Sequence, residues 1–206
     1  MSWVWSGDRG MLRSFAGDLQ DANRTARSAH RALSEHEFPE VEDIVPGART
    51  VLVLLKPGAE PSDDLVAAIE SEPPQLDGSS GHFHEIAVRY GGDDLARIAS
   101  QIGMTRERLV RVHYETEYTV GFIGFSPGFP YLLGLDRRLW ASRLATPRTR
   151  VPAGSVAIGG EYTGIYPAVS PGGWHIIGST DFVLFDAARV PPATLSPGDR
   201  VRFVPR

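Results

Sequence analysis

Residues 121–178 read GFIGFSPGFPYLLGLDRRLWASRLATPRTRVPAGSVAIGGEYTGIYPAVSPGGWHIIG. Eleven glycines and six prolines fall within these 58 positions, a density that forbids long helices. Short apolar runs at 155–158 and 174–177 sit between turns, and a third follows at 182–185. A closing strand is expected at 200–204, after the turn Ser196-Pro197-Gly198-Asp199. Many short strands divided by Gly/Pro turns predict a barrel or a sandwich.

Upstream of this stretch the texture changes. A strand is expected at 85–90, then Gly91-Gly92 and a helix opened by Asp93 or Asp94, while Thr105 caps a helix over 106–114. Residues 71–81 (SEPPQLDGSSG) read as a linker, since Pro73-Pro74 resists helix and little here can be buried. The first eighty residues hold a strand at 11–15, a helix capped by Asp18 running to about Ser34, strands at 41–45 and 50–55, and a short helix from Ser62 or Asp63. Strand 50–55 is nearly all apolar and is expected at the centre of its sheet. The fold class is therefore α+β: a small ferredoxin-like α/β unit over 1–80, followed over 81–206 by a barrel or a sandwich of short strands.

Composition narrows the function. The 206 residues are 42% hydrophobic and 22% charged, ordinary for a globular chain able to bury a core. The absence of cysteine excludes disulfides, thiolate metal sites and a cysteine nucleophile. No window approaches the length of a membrane span, and the N-terminus lacks the pattern of a secretory signal, so a cytoplasmic location is expected. A net charge of -4 speaks against nucleic acid as a partner. That total conceals an asymmetry: residues 1–80 carry seven basic and fourteen acidic groups (-7), residues 81–206 fourteen and eleven (+3).

Several motifs are false leads. Gly124-Phe-Ser-Pro-Gly128 matches the G-x-S-x-G elbow of serine hydrolases, but Pro127 has no N–H to offer an oxyanion and no helix follows. His82 and His84 share one face of a strand without a third ligand, so no metal site is expected. His113, near a helix C-terminus, reads as a partly protonated imidazole favoured by the dipole. No phosphate-binding loop of the G-x-x-x-x-G-K-[ST] type occurs, and the one lysine, Lys56, lies outside any such context.

Two features carry more. Arg137, Arg138, Arg143, Arg148 and Arg150 place five guanidiniums in fourteen residues with no intervening acid. They form either a bidentate anion site or a solvated basic loop with internal ion pairs. Arg148 and Arg150 lie between Pro147 and Pro152, in a loop that the prolines hold in one shape. Tyr166 and Trp174 add flat apolar surface with a polar edge among glycines, parts suited to a ligand pocket or a subunit interface.

These same residues resemble a family. Gly124-Phe-Ser-Pro-Gly-Phe-Pro-Tyr-Leu132, Ala145-Thr-Pro-Arg-Thr-Arg-Val-Pro-Ala-Gly-Ser-Val156 and Ser170-Pro-Gly-Gly-Trp-His-Ile-Ile-Gly178 are similar to the motifs of the carboxyltransferase domain, subdomain C and D family. Its members include the B component of 5-oxoprolinase (PxpB), the kinase inhibitor KipI, allophanate hydrolase subunit 1 and part of urea carboxylase. The resemblance implies a cyclophilin-like barrel behind a small α/β domain. It implies a component of an ATP-dependent 5-oxoprolinase that opens 5-oxoproline to glutamate. Its partners would be a sister subunit 2 of the KipA/PxpC kind and a third hydrolase subunit. A KipI-like inhibitor of a histidine kinase, or a component acting on a urea-like compound, are the alternatives. On the enzyme reading Arg148 and Arg150 bind a substrate carboxylate or phosphoryl group, Tyr166, Ser170 and Trp174 shape the pocket, and Pro130 and Tyr131 form its other wall. No residue stands out as an isolated nucleophile or base. The chain departs from the family at Trp140-Ala-Ser-Arg143, where Ala-Thr-Pro-Arg is usual, and at Leu133, Tyr162 and His175.

Overall fold

A computed structural model describes residues 3–75 and 81–206, so the linker expected over 71–81 lies partly outside the described residues. The chain divides into two units, Met1–Ser80 and Gly81–Arg206. The first holds β1 (Val4–Ser6), β2 (Gly10–Ser14), α1 (Leu19–Ser34), β3 (Val41–Pro46), β4 (Thr50–Leu55) and α2 (Asp63–Glu70). Both helices start where a side chain can satisfy a free N–H: the Asp18 carboxylate accepts from Asp21, and the Ser62 hydroxyl accepts from Leu65. The sheet is antiparallel in the order β1-β2-β4-β3, with β4 inside it. Along β4 every second side chain, Val51, Val53 and Leu55, is buried in one cluster with Ala22, Ala26, Ala29 and Leu33 of α1 and Leu65 and Ile69 of α2. The small alanines bring α1 close to the sheet. β1 has no counterpart in the sequence reading; its three residues are exposed and form an edge beside β2.

The second unit runs β5 (Phe83–Tyr90), α3 (Leu95–Gln101), α4 (Arg106–Glu115), β6 (Glu117–Ile123), β7 (Pro130–Leu133), β8 (Arg148–Val151), β9 (Ser155–Gly159), β10 (Tyr162–Ile165), β11 (Ser170–Gly172), β12 (His175–Ser179) and β13 (Arg200–Pro205). Seven of these strands close a barrel in the order β10-β7-β6-β13-β5-β12-β9. Every neighbouring pair is antiparallel except β5 and β13, which run parallel from Phe83 opposite Arg200 to Val88 opposite Pro205. β8 and β11 form a separate two-stranded ribbon. Ile86, Val88, Tyr118, Val120, Leu132, Val156, Ile158, Ile165 and Phe203 fill the barrel, and Ile98, Leu109 and Val112 of the two helices join the same cluster.

Three expectations need correction. The run at 182–185 is not a strand; Phe185 makes one isolated bridge to Ala193. The segment holding Arg148 and Arg150 is not a proline-held loop but strand β8, whose partner lies some twenty residues downstream, out of reach of any local signal. His113 is not a partly protonated helix-end imidazole. It is fully buried, stacked on Phe203 with ring centroids 4.7 Å apart, and burial pushes its pKa down to about 3. The neutral ring is fully used. Thr163 Oγ donates to the Ala157 carbonyl at 3.0 Å and so accepts from His113 Nε2 at 2.9 Å; His113 Nδ1 then accepts from the Tyr90 hydroxyl at 2.7 Å.

Candidate functional site

β6 leaves the barrel at Ile123 and β7 re-enters at Pro130; between them Gly124–Phe129 turn back along the rim. This strand-turn-strand course, with the Ser126 N–H closed onto the Gly124 carbonyl at 2.7 Å, confirms that no nucleophile elbow is built here. The turn delivers Phe125 and Phe129 to one side of a cleft. Tyr131 on β7 and Tyr166, just past β10, continue the wall, and Trp174, just before β12, faces them. Arg143, Leu144 and Pro147 close the remaining side. The cleft measures about 150 Å³.

The wall is an aromatic assembly, edge to face except at the tilted Phe129–Tyr131 pair. Phe129 meets Tyr131, Tyr166 and Trp174 at centroid distances of 5.1, 5.1 and 5.4 Å, and Tyr131 meets Trp174 at 5.5 Å. Two glycines make it possible. A Cβ at Gly159 would stand 2.5 Å from the Trp174 ring, and one at Gly172 would overlap the Tyr166 hydroxyl. Two of the departures from the family pattern, Tyr162 and Leu133, are placed by their neighbours. Tyr162 is stacked against Trp174, and Leu133 lies over Gly121, where a side chain would collide with it.

The cleft has one charge of its own. The Arg143 guanidinium lies 5.8 Å over the Trp174 ring, is exposed, and makes no ion pair among the described residues. Burial raises the Tyr131 and Tyr166 phenols above their ordinary values, opposed in part by Arg143 and, at Tyr166, more by the backbone of Trp174. Both phenols are therefore protonated near neutral pH and able to donate.

Arg143 rides on a fixed segment. The Leu144 N–H donates to the Gly173 carbonyl at 2.7 Å, and the Ser142 carbonyl accepts from His175 Nε2 at 2.7 Å. The other His175 nitrogen, an acceptor, faces Arg97 Nη2 at 3.3 Å. Arg97 in turn donates to Asp94 Oδ1 at 2.6 Å, where Arg148 also donates at 2.7 Å. The Ile176 N–H occupies Asp94 Oδ2 at 2.8 Å. Burial works to raise the Asp94 carboxyl, whose side chain is 3% exposed, but these three donors outweigh it and hold the group below its usual range. Asp94 thus stands at the N-cap of α3 without capping it: its carboxylate is turned to the strands instead.

The expected site residues divide accordingly. Tyr131, Tyr166 and Trp174 line the cleft. Pro130 is buried beside them, with its carbonyl against Gly164. Ser170 lies on β11, its Oγ buried without a hydrogen-bond partner. Arg148 is half-buried and tied to Asp94, so it reaches the cleft only through its field on Tyr166. Arg150, on the same ribbon, is exposed and outside the lining. Arg143, Phe125, Phe129 and Pro147 belong to the lining and stand outside the set of site residues expected from sequence. Their signal is present in the two motif segments 124–132 and 145–156 and the arginine just before the second. Among the described residues no group of three His, Cys, Asp or Glu side chains is arranged to hold a metal, and no helix is long and apolar enough to cross a membrane.

Known proteins share this architecture. A model of the family described as carboxyltransferase domain, subdomain C and D matches residues 1–195. The B component of 5-oxoprolinase from Escherichia coli is 42% identical over 194 residues, covering 91% of this chain and 87% of that protein. Its counterpart from Bacillus subtilis, also a 5-oxoprolinase B component, is 33% identical over 215 residues, covering 96% and 90%. The crystal structure of TTHA0988 superposes with a TM-score of 0.86 at 36% identity. It is matched by 96% of this chain, which spans only 40% of that longer one.

Proposed function

Because the chain belongs to the carboxyltransferase domain, subdomain C and D family, we propose that it is the B component of a 5-oxoprolinase. In this role it opens the lactam of 5-oxoproline to glutamate, in the cytoplasm, together with a sister subunit of related fold and a third hydrolase subunit. The identity to two 5-oxoprolinase B components over nearly the whole chain supports the assignment. The observation that carries it at the level of chemistry is the uncommitted Arg143 above an aromatic cleft of about 150 Å³.

A five-membered lactam bearing one carboxylate suits that cleft. The Arg143 fork takes the carboxylate bidentately. The ring lies against the aromatic wall of Phe129, Tyr131, Tyr166 and Trp174 that lines the cleft. The Tyr131 and Tyr166 phenols, kept protonated by burial, donate toward the lactam carbonyl as negative charge grows on its oxygen. Arg148, held by Asp94, adds positive potential from behind Tyr166. Arg150, exposed and without an ion pair among the described residues, is left to meet an anion brought by a partner, such as a phosphoryl oxygen. The cleft does not fit ATP itself. It is smaller than the roughly 300–1,000 Å³ usual for sites of larger ligands, and it offers one free guanidinium to a triphosphate. No step through ATP is therefore assigned to these residues.

The test is 5-oxoproline-dependent ATP hydrolysis by the chain assembled with its sister subunits, with this chain omitted as control. Turnover is expected to vanish in the control; turnover that persists without the chain overturns the proposal. Arg143→Ala in the assembled complex is expected to raise KM for 5-oxoproline about ten- to a hundredfold, as loss of a charge-assisted hydrogen bond of about 1.5–3 kcal/mol implies. An unchanged KM removes Arg143 from the site.

A further inference from the structure

Phe125 is the one non-glycine residue with a positive φ among the described residues, at 64°. The Ser126 N–H bonded to the Gly124 carbonyl makes it the centre of a three-residue turn, and a turn of that kind with positive φ is rare and strained. A bulky side chain aggravates the strain, because its Cβ crowds the neighbouring carbonyl. Gly124 and Gly128 stand nearby in the same turn, yet the position that needs glycine most carries a phenyl ring. That ring does little for the core. It is 59% exposed, and it meets Phe129 and Tyr166 at 5.4 and 6.4 Å, both edge to face. It also forms part of the cleft lining. A strained backbone holding an exposed apolar ring over a cleft points to a binding role.

We propose that Phe125 is a specificity-determining contact of the cleft, its ring covering the apolar edge of a compact cyclic carboxylate whose charge rests on Arg143. The inference builds on the proposed function, since it takes 5-oxoproline as the ligand. The two carbons of the lactam that carry neither the carboxylate nor the amide are the part of that substrate a phenyl ring recognises. An open-chain acid of the same size presents no such flat edge and gains less from it. Selection for a ring over a chain is therefore set at Phe125, while Arg143 selects only for the charge.

Two variants separate this role from a structural one. Phe125→Asn keeps a residue that tolerates positive φ and removes the ring, and Phe125→Gly relieves the strain altogether. In the assembled complex both are expected to raise KM for 5-oxoproline about tenfold or more with kcat little changed, and to melt no lower than the parent. Cyclopentanecarboxylate is expected to inhibit the parent complex competitively far better than hexanoate does, and to lose that advantage in both variants. An unchanged KM and inhibitor ratio in an active complex overturns the inference and leaves the proposed function standing. Failure of both variants to assemble also overturns it, by assigning the ring to a contact between subunits. If the parent complex shows no 5-oxoproline turnover, the proposed function fails on its own. Calorimetric titration of the chain with cyclopentanecarboxylate then decides the role of Phe125: tighter binding to the parent than to Phe125→Asn upholds it, and equal binding overturns it.

Discussion

At the scale of single residues, Asp94 and His113 make opposite use of burial. Asp94 is an ionised carboxylate enclosed by Arg148, Arg97 and the Ile176 N–H; His113 is a neutral ring enclosed by Tyr90, Thr163 and Phe203. Their linkage to pH follows from the directions of the shifts. The folded protein binds fewer protons than the unfolded chain wherever a folded pKa lies below the unfolded one, so stability rises with pH across that window. For His113 the window runs from about 3 up to the ordinary 6.5. Its contribution is complete above 6.5 and falls away as acid is added, by at most about 1.4 kcal/mol per pH unit. For Asp94 the loss begins only below the ordinary carboxylate value. Urea midpoints measured from pH 7 to 4 are therefore expected to decline in the parent, and to decline less in His113→Gln. Asp94→Ala is expected to cost about 3 kcal/mol even at neutral pH, because it strands the half-buried Arg148 and a buried N–H. A neutral-pH midpoint unaffected by Asp94→Ala would show that the cluster contributes nothing to the fold.

At the scale of elements, the ribbon and the glycine gaps govern the cleft. β8 and β11 carry Arg148 and Gly172, paired across the ribbon, and Gly172 is what lets the Tyr166 hydroxyl reach its place. Gly159 does the same for Trp174. Gly159→Ala is expected to destabilise by about 1–3 kcal/mol through overpacking and to weaken 5-oxoproline turnover together with it, as read from melting and KM. How far such elements can be read from sequence depends on the range of the forces that form them. Asp18, Ser62 and Thr105 announce their helices because a cap acts within three residues. β4 announces itself by its apolar run. β8 does not, because Val151 pairs with Ser170 and two prolines flank the segment. The run at 182–185 has strand composition without a strand neighbour. In the candidate cleft, Tyr166 and Trp174 are legible because flat side chains among glycines mark a surface, and Tyr131 because it belongs to a motif that resembles the family's. Arg143 is obscured because Arg148 and Arg150 share its chemistry, and only tertiary structure shows that Asp94 engages Arg148 and leaves Arg143 free.

At the scale of the whole molecule, each unit encloses its own cluster of buried side chains, one around β4 and α1 and the other inside the barrel. The two clusters share no residue, so the barrel is expected to fold without its neighbour. A fragment of residues 81–206 should show one cooperative urea transition, whereas residues 81–199 should show none, because β13 is hydrogen-bonded to both β5 and β6. A cooperative transition in the shorter fragment would mean that closure of the barrel is dispensable. The parallel pairing of β5 with β13 bears also on how the protein is made. A ribosome releases the chain in order, so Phe83 must wait for Arg200, and more than a hundred residues are synthesised before the first strand of the barrel meets its parallel neighbour. Until then β5 presents an open edge in a crowded cell, while the N-terminal sheet, complete by Glu70, has no such delay.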